Sequence, residues 1–317
     1  MKRLGIICGG FSSEYEISLK SARTIIDNFP EGYDVFMIQL NKSGWKAIYQ
    51  ENEYDFDIRT MSFDSKRIDA AIVYVHGDPG ENGKIQALLE IQQIPYVNSG
   101  PLPSALSFDK WYCNQFLKGF NIPVAKSLFL RSISDYSNQE IIDALGLPLF
   151  VKPSDSGSSY GISKVKAESE LTEALNLAFK EGRTIVIESF LDGTEVTCGV
   201  YRKKSGVHAL PLTEIATEND FFDYAAKYQG KSQEITPARV DDAIRDKVQE
   251  TAKFVYDLLQ LRSIARIDFM VVNNIPYIIE VNTTPGFSPA SIVPQMIKCD
   301  GGTIQQFWKD ILDVELV

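Results

Sequence analysis

Short apolar runs alternate with stretches of helical periodicity through the first third of the chain, and no other feature limits the fold as much. Leu4–Cys8 is a strand-length apolar run closed by Gly9-Gly10. Ser18–Asn28 carries polar and apolar residues at helical spacing and is stopped by Pro30. Val35–Gln39 reads as a strand. Ala70–Val75 is an unbroken apolar run, as expected of a strand covered on both faces. A Gly/Pro-rich loop follows, His76–Gly83, then a helix over Lys84–Gln92 and a strand at Pro95–Val97. This strand–helix–strand order predicts an open, mainly parallel sheet, which binds ligands beyond the carboxyl ends of its strands. Gly9-Gly10 and the His76–Gly83 loop both fall at such ends.

The middle of the chain reads differently. A helix over Asp109–Gly119 leads to a strand at Val124–Leu130, a helix at Gln139–Leu145 and a strand at Pro148–Pro153. A Ser/Gly loop, Ser154–Gly161, precedes a strand at Ile162–Lys166, a helix at Glu168–Phe179 and a strand at Thr184–Glu188. That is the pattern of a small α+β unit with an antiparallel sheet. Beyond it, Glu195–Tyr201 and His208–Leu212 read as antiparallel strands. The polar, aromatic-rich stretch Asn219–Gln233 is long enough for a lid or binding loop. Asp241–Leu259 is an amphipathic helix, and Ile264–Val272 with Tyr277–Val281 forms a hairpin. The expected partition is 1–98, 99–188 and 189–317, which suits a chain of 317 residues.

Charge and composition narrow the function. A net charge of −10 gives no global drive toward nucleic acid or anionic lipid, though a local basic pocket for phosphate is allowed. No apolar run approaches the ~18 residues of a membrane span, and Leu4–Cys8 is too short for a signal peptide. The expected location is the cytoplasm, with no membrane and no nucleic-acid partner. Cys8, Cys113, Cys198 and Cys299 are far apart, so buried thiols are expected, without disulfides or zinc. Gly77–Lys84 imitates a P-loop, but its spacing is one residue too long and Ile85 stands where a hydroxyl must reach magnesium. No GxGxxG follows a strand, and neither GxSxG nor HExxH occurs.

The strongest constellation is Arg266-Ile267-Asp268 followed by Glu280-Val281-Asn282. Side chains two apart on a strand share a face. All four polar groups share one face only if Asp268 pairs opposite Glu280. That pairing requires an odd loop such as Asn273–Ile275, whereas a two-residue Asn273-Asn274 turn puts the carboxylates on opposite faces. We therefore expect the odd loop. Two carboxylates and an amide oxygen make a hard, all-oxygen site suited to Mg²⁺ bound with phosphate. Lys152 ends an apolar strand and precedes the Ser/Gly loop, where a cation and unpaired backbone N–H groups can hold an anion. Lys110 and Lys227 supply further positive charge. Glu14 serves either as a helix N-cap carboxylate or as a binder of a ligand ammonium, and His76 either ends its strand or faces the ligand.

The order of these pieces closely resembles the D-alanine–D-alanine ligases of the ATP-grasp superfamily. The resemblance runs from Gly9-Gly10-Phe11-Ser12-Ser13-Glu14 through His76-Gly77…Gly80-Glu81-Asn82-Gly83, Asp109-Lys110, Val151-Lys152-Pro153 and Gly157-Ser158-Ser159. It continues through Asp223-Tyr224…Lys227-Tyr228 and Arg266-Ile267-Asp268, and closes at Glu280-Val281-Asn282-Thr283-Thr284-Pro285-Gly286 and Ser291. It implies three α/β domains, with ATP sandwiched between the second and third. It further implies that Lys110, Lys152 and Lys227 contact phosphates, that Glu188 and the Phe190-Leu191 backbone face the adenine, and that Glu195 faces the ribose. Asp268, Glu280 and Asn282 would hold two Mg²⁺ ions, with Mn²⁺ an alternative. Glu14 would bind the ammonium of the first D-alanine, with His76 nearby, and Ser291 the carboxylate of the second. Arg266 and the Gly286 N–H would stabilise the tetrahedral intermediate, and Glu14, Ser158 and Tyr228 would link the lid to the substrate site. A homodimer is implied too. The chain departs from the family's usual pattern at Ala225, Phe287-Ser288 and Pro289-Ala290. The implied activity is ATP-dependent formation of D-alanyl-D-alanine for peptidoglycan precursors. A D-lactate or D-serine ligase, or a non-catalytic nucleotide-binding module on the same scaffold, is the alternative.

Overall fold

The computed structural model describes residues 1–155, 157, 160–217 and 232–316. The chain opens with β1 (Lys2–Gly9), α1 (Tyr15–Asp27), β2 (Tyr33–Asn41), β3 (Gly44–Tyr49), β4 (Asn52–Asp55), β5 (Ser62–Phe63), β6 (Lys66–Arg67), β7 (Ala70–Val73), α2 (Lys84–Ile91) and β8 (Tyr96–Val97). The main sheet has the order β4-β3-β2-β1-β7-β8. Strands β2, β1, β7 and β8 run parallel, as the alternation requires, with Leu4 paired both to Val35 and to Ala70. Antiparallel β3 and β4 extend one edge. Sequence reading missed both, because their Lys, Glu, Asn and Asp residues break any apolar run. The β1–α1 turn needs its glycine: Gly9 has φ +90°, and a Cβ there would lie 2.4 Å from the Leu40 carbonyl oxygen.

The middle carries α3 (Pro101–Phe108), α4 (Lys110–Gly119), β9 (Ser127–Leu130), α5 (Asn138–Leu145), β10 (Leu149–Pro153), β11 (Ser163–Val165), α6 (Glu168–Glu181) and β12 (Ile185–Ser189). Its sheet, β11-β10-β12-β9, is antiparallel throughout. Inward residues Leu149, Val151, Ile185 and Ile187 pack on Leu171, Leu175 and Ala178 of α6. β9 is shorter than expected. Val124 instead makes a bridge to Ile278, and the Ile278 N–H donates to the Pro123 carbonyl at 2.9 Å, which ties this connection to the last sheet.

The remainder comprises β13 (Thr194–Lys203), β14 (Gly206–Ala209), β15 (Thr213–Thr217), β16 (Ser232–Ile235), α7 (Asp242–Leu258), β17 (Ile264–Val272), β18 (Ile275–Asn282), α8 (Ile292–Cys299) and α9 (Ile304–Glu315). The sheet runs β16-β15-β13-β17-β18, with β14 also on β13. Val248, Ala252, Val255 and Tyr256 of α7 bury one face of it. Helices α8 and α9 do not stay with this sheet alone. Met296, Ile297, Phe307, Trp308 and Ile311 share one core with Leu4, Ile6 and Ile72 of the first sheet. Three thiols are buried as expected, but Cys299 is exposed because it is the last residue of α8 and faces solvent.

Candidate active site

The β17–β18 hairpin holds the polar constellation in register. Asp268 lies opposite Glu280 and Arg266 opposite Asn282, so the four polar side chains share one face. The expected odd loop is wrong, however. Val272 pairs with Ile275, which leaves the two-residue turn Asn273-Asn274, both with positive φ (49° and 63°). The register instead shifts between Asp268 and Phe269: Phe269 faces Ile278, and Ile279 is the extra residue. This β-bulge turns a pairing that would split the carboxylates into one that joins them. Buried Ile278 and Val281 are three apart, which no regular strand permits on one face.

The face opens on a cavity of about 360 Å³, whose walls include Glu14, His76, Glu81, Arg266, Glu280 and Ser291. Arg266 grips Asp268 with two parallel bonds, Nε to Oδ1 at 2.8 Å and Nη2 to Oδ2 at 2.9 Å. Thr197 Oγ1 and Asn282 Nδ2 also donate to this carboxylate. Lys110, the first residue of α4, reaches Glu280 at 3.1 Å. Burial opposes the Lys110 charge, but Glu280 outweighs it and the ammonium is held above its usual range. Lys152 at the end of β10 pairs with Glu188 of β12 at 2.6 Å, and Asn114 Nδ2 donates to the other Glu188 oxygen at 2.8 Å. Among the described residues no group of three or more His, Cys, Asp and Glu side chains is placed to hold a metal. The candidate donor set is two carboxylates plus the Asn282 amide oxygen, all oxygen, and its chemistry fits a hard divalent cation.

The first sheet supplies the opposite wall. Glu14 stands just before α1 without a capping hydrogen bond, and its Oε2 comes close to Gly157 of the Ser/Gly loop. Glu14 does occupy the N-cap position, but its side chain makes no capping hydrogen bond and lines the cavity instead. His76 is buried, meets Ser21 Oγ at 3.3 Å, and is pushed below its usual value by burial. In the loop that imitates a P-loop, Lys84 pairs with Asp78 at the surface, while the Gly77 N–H donates to Glu81 at 2.7 Å. Burial, and then the nearby Glu14 charge, push Glu81 up to about 8.

The Thr283–Ser291 segment joins the two walls. Tyr74 Oη donates to the Pro285 carbonyl at 2.8 Å, Asn98 Nδ2 to Thr284 Oγ1 at 2.9 Å, and the Phe287 N–H to Ser21 Oγ at 3.2 Å. A Cβ on Gly286 would meet Ser291 Oγ at 3.1 Å. Ser291 has the backbone of an N-cap for α8 but does not cap it; its Oγ accepts from the Ser288 N–H at 3.0 Å and lies 2.8 Å from Ser288 Oγ. Phe190 and Leu191 follow β12, with Lys164 Nζ 4.1 Å from the Phe190 ring centroid, and Glu195 is half-buried on β13. Ser158, Lys227 and Tyr228 lie outside the described residues, as does most of the 219–233 loop. Sequence reasoning gave no role to Thr197, Asn114, Glu81 or Glu234. Glu81 belongs to the glycine-rich motif and was within reach; Glu234 follows a loop with no periodicity to locate it.

Comparison with known proteins decides what this arrangement belongs to. Residues 3–99 match the D-ala D-ala ligase N-terminus and residues 116–313 the D-ala D-ala ligase C-terminus. The chain belongs to the D-alanine–D-alanine ligase family. A D-alanine–D-alanine ligase of Flavobacterium johnsoniae is 42% identical, with all of both chains covered. One from Parabacteroides distasonis is 38% identical over 99% of this chain and 98% of its own. Among solved structures, the VanG D-Ala:D-Ser ligase of Enterococcus faecalis superposes with a TM-score of 0.89 at 30% identity, covering 99% of each chain. D-alanyl-alanine synthetase A of Vibrio cholerae gives 0.89 at 29% identity, over 99% of this chain and 98% of that one. The fold is the ATP-grasp architecture of this family, and the chain is an ATP-dependent ligase. No described helix is long and apolar enough to cross a membrane.

Proposed function

We propose that the chain joins two D-alanine molecules into D-alanyl-D-alanine, with ATP converted to ADP and phosphate, as a step toward peptidoglycan precursors. The observation that carries this reading is the shared face of Arg266, Asp268, Glu280 and Asn282: Arg266, Glu280 and Asn282 line one cavity with Glu14, and Lys110 pairs with Glu280. A carboxylate is a poor acyl donor. Transfer of the γ-phosphoryl group to the first D-alanine breaks the bond to ADP and forms an acyl phosphate. The protein's task there is positioning and charge stabilisation. Lys110, Lys152 and Lys227 hold phosphates. Glu188, with the Phe190-Leu191 backbone, faces the adenine, and Glu195 the ribose. Glu14 takes the first D-alanine's ammonium, with His76 beside it. Ser291 takes the second carboxylate at the end of α8.

The second D-alanine loses its ammonium proton, and the neutral amine attacks the acyl carbon and gives up a second proton as the amide forms. The Arg266 guanidinium and the Gly286 N–H stabilise the oxyanion, and phosphate leaves as the intermediate collapses. Mg²⁺ held by Asp268, Glu280 and Asn282 would neutralise phosphate charge. The 219–233 segment is the lid in this reading, excluding water from the acyl phosphate and bringing Tyr228 toward Ser158 and Glu14. The same proposal takes the chain as a cytoplasmic homodimer with domains 1–98, 99–188 and 189–317. The test is a coupled assay of ADP release. D-Alanine should be required, D-lactate should be the poorer acceptor near neutrality, and Arg266→Met should lower turnover by roughly 10²–10³. ATP binding without turnover would support the nucleotide-binding module instead.

A further inference from the structure

The acceptor end of the cavity holds a carboxylate that the reaction just described does not use. Glu234 lies on β16 and lines the same cavity as Arg266, Gly286, Ser288 and Ser291. Gln295 of α8 fixes it: one amide nitrogen donates both to Glu234 Oε2 at 3.1 Å and to the Ala290 carbonyl at 3.0 Å. The carboxylate is thereby tied to the residue just before Ser291. Its hydrogen-bond partner among the described residues is this neutral amide, not a cation. A half-buried carboxylate hydrogen-bonded to a neutral amide, with Arg266 acting on it only through its charge, still gains from a positive group that contacts it directly.

The other pole is a few residues away. Ser291 leaves α8 uncapped, and its Oγ stays on the cavity wall, oriented by Ser288. A hydroxyl at a helix N-terminus suits a carboxylate. The two poles match the two ends of a zwitterionic amino acid. We propose that Glu234 binds the ammonium of the acceptor amino acid and takes the proton it sheds before attack, while Ser291 holds its carboxylate, so that Glu234 selects amine acceptors over hydroxy acids. Burial pushes the Glu234 carboxyl up, while the Gln295 amide and the Arg266 charge act to keep it ionised. A hydroxy acid of the same shape, such as D-lactate, brings no charge to this contact. The selection rests on the ligase reading above.

The experiment offers D-alanine and D-lactate together with ATP and measures the ratio of dipeptide to depsipeptide by mass spectrometry. Glu234→Gln keeps the shape and the Gln295 contact but removes the charge. It should raise the KM of the acceptor D-alanine roughly tenfold and shift the ratio toward depsipeptide by a similar factor. The KM of ATP and of the first D-alanine should not move. Glu234→Asp, which restores the charge, should recover most of the ratio. An unchanged ratio in Glu234→Gln, or equal rises in all three KM values, would overturn the assignment of Glu234 alone. A wild-type enzyme with no D-alanine-dependent ADP release would overturn the ligase reading, and this proposal with it.

Discussion

Glu81 shows what one residue in this cavity costs the fold. Its carboxylate accepts from the Gly77 N–H, yet burial and the Glu14 charge raise it from an ordinary 4.5 to about 8. Between those values the unfolded chain has lost a proton that the folded chain keeps. Stability therefore falls as pH rises from about 4.5 to about 8 and levels off above. Glu81→Gln retains an acceptor for Gly77 and lacks this slope. In urea unfolding at pH 5.5, 7 and 8.5, the variant should gain on the wild type as pH rises; parallel curves would contradict the assignment. At this scale much of the site was legible. Arg266, Asp268, Glu280 and Asn282 were readable from strand alternation, and Lys152 from its place at the end of an apolar run. Glu234 was not, because its place in the cavity comes from β15–β16 pairing and from Gln295, far away in sequence.

At the scale of elements, the hairpin shows how a correct pairing can be reached by a wrong route. Alternation demanded Asp268 opposite Glu280, and a regular strand could supply that only with an odd loop. The chain uses a tight Asn-Asn turn and corrects the phase with a bulge at Ile279. The mark was present in the adjacent apolar pair Ile278-Ile279, followed by Val281, but a period-2 template cannot register it. The turn makes its own prediction. Both central residues have positive φ, and glycine at the second position suits that geometry. Asn274→Gly should raise stability by up to about 1 kcal/mol, read as a higher melting temperature, with turnover unchanged. A lower melting temperature would mean that the Asn274 side chain contributes more than its backbone strain costs. Strands β3 and β4 were illegible for another reason: Trp45, Ala47, Tyr49 and Tyr54 pack on the core, but Lys46, Glu53 and Asp55 interrupt them, and β3 pairs with β2 and β4 with β3.

Across the whole molecule, the site exists because the C-terminal helices pack on the N-terminal sheet. Phe287 and Trp308 meet the Tyr74 ring edge-on, Phe307 stacks on Phe287, and Tyr74 Oη holds the Pro285 carbonyl next to Gly286. Tyr74→Phe keeps the ring packing and leaves that buried carbonyl without its donor. It should cost about 1–3 kcal/mol in stability and reduce turnover, with the KM of ATP unchanged. A raised KM for ATP with normal turnover would place the effect elsewhere. No reading of local periodicity could show this packing, since it joins residues some two hundred positions apart. The acyl phosphate is built between these walls, and D-alanine labelled with ¹⁸O in its carboxylate shows whether it forms. Each dipeptide formed should release one phosphate carrying one ¹⁸O; unlabelled phosphate at the same yield of dipeptide would contradict the mechanism.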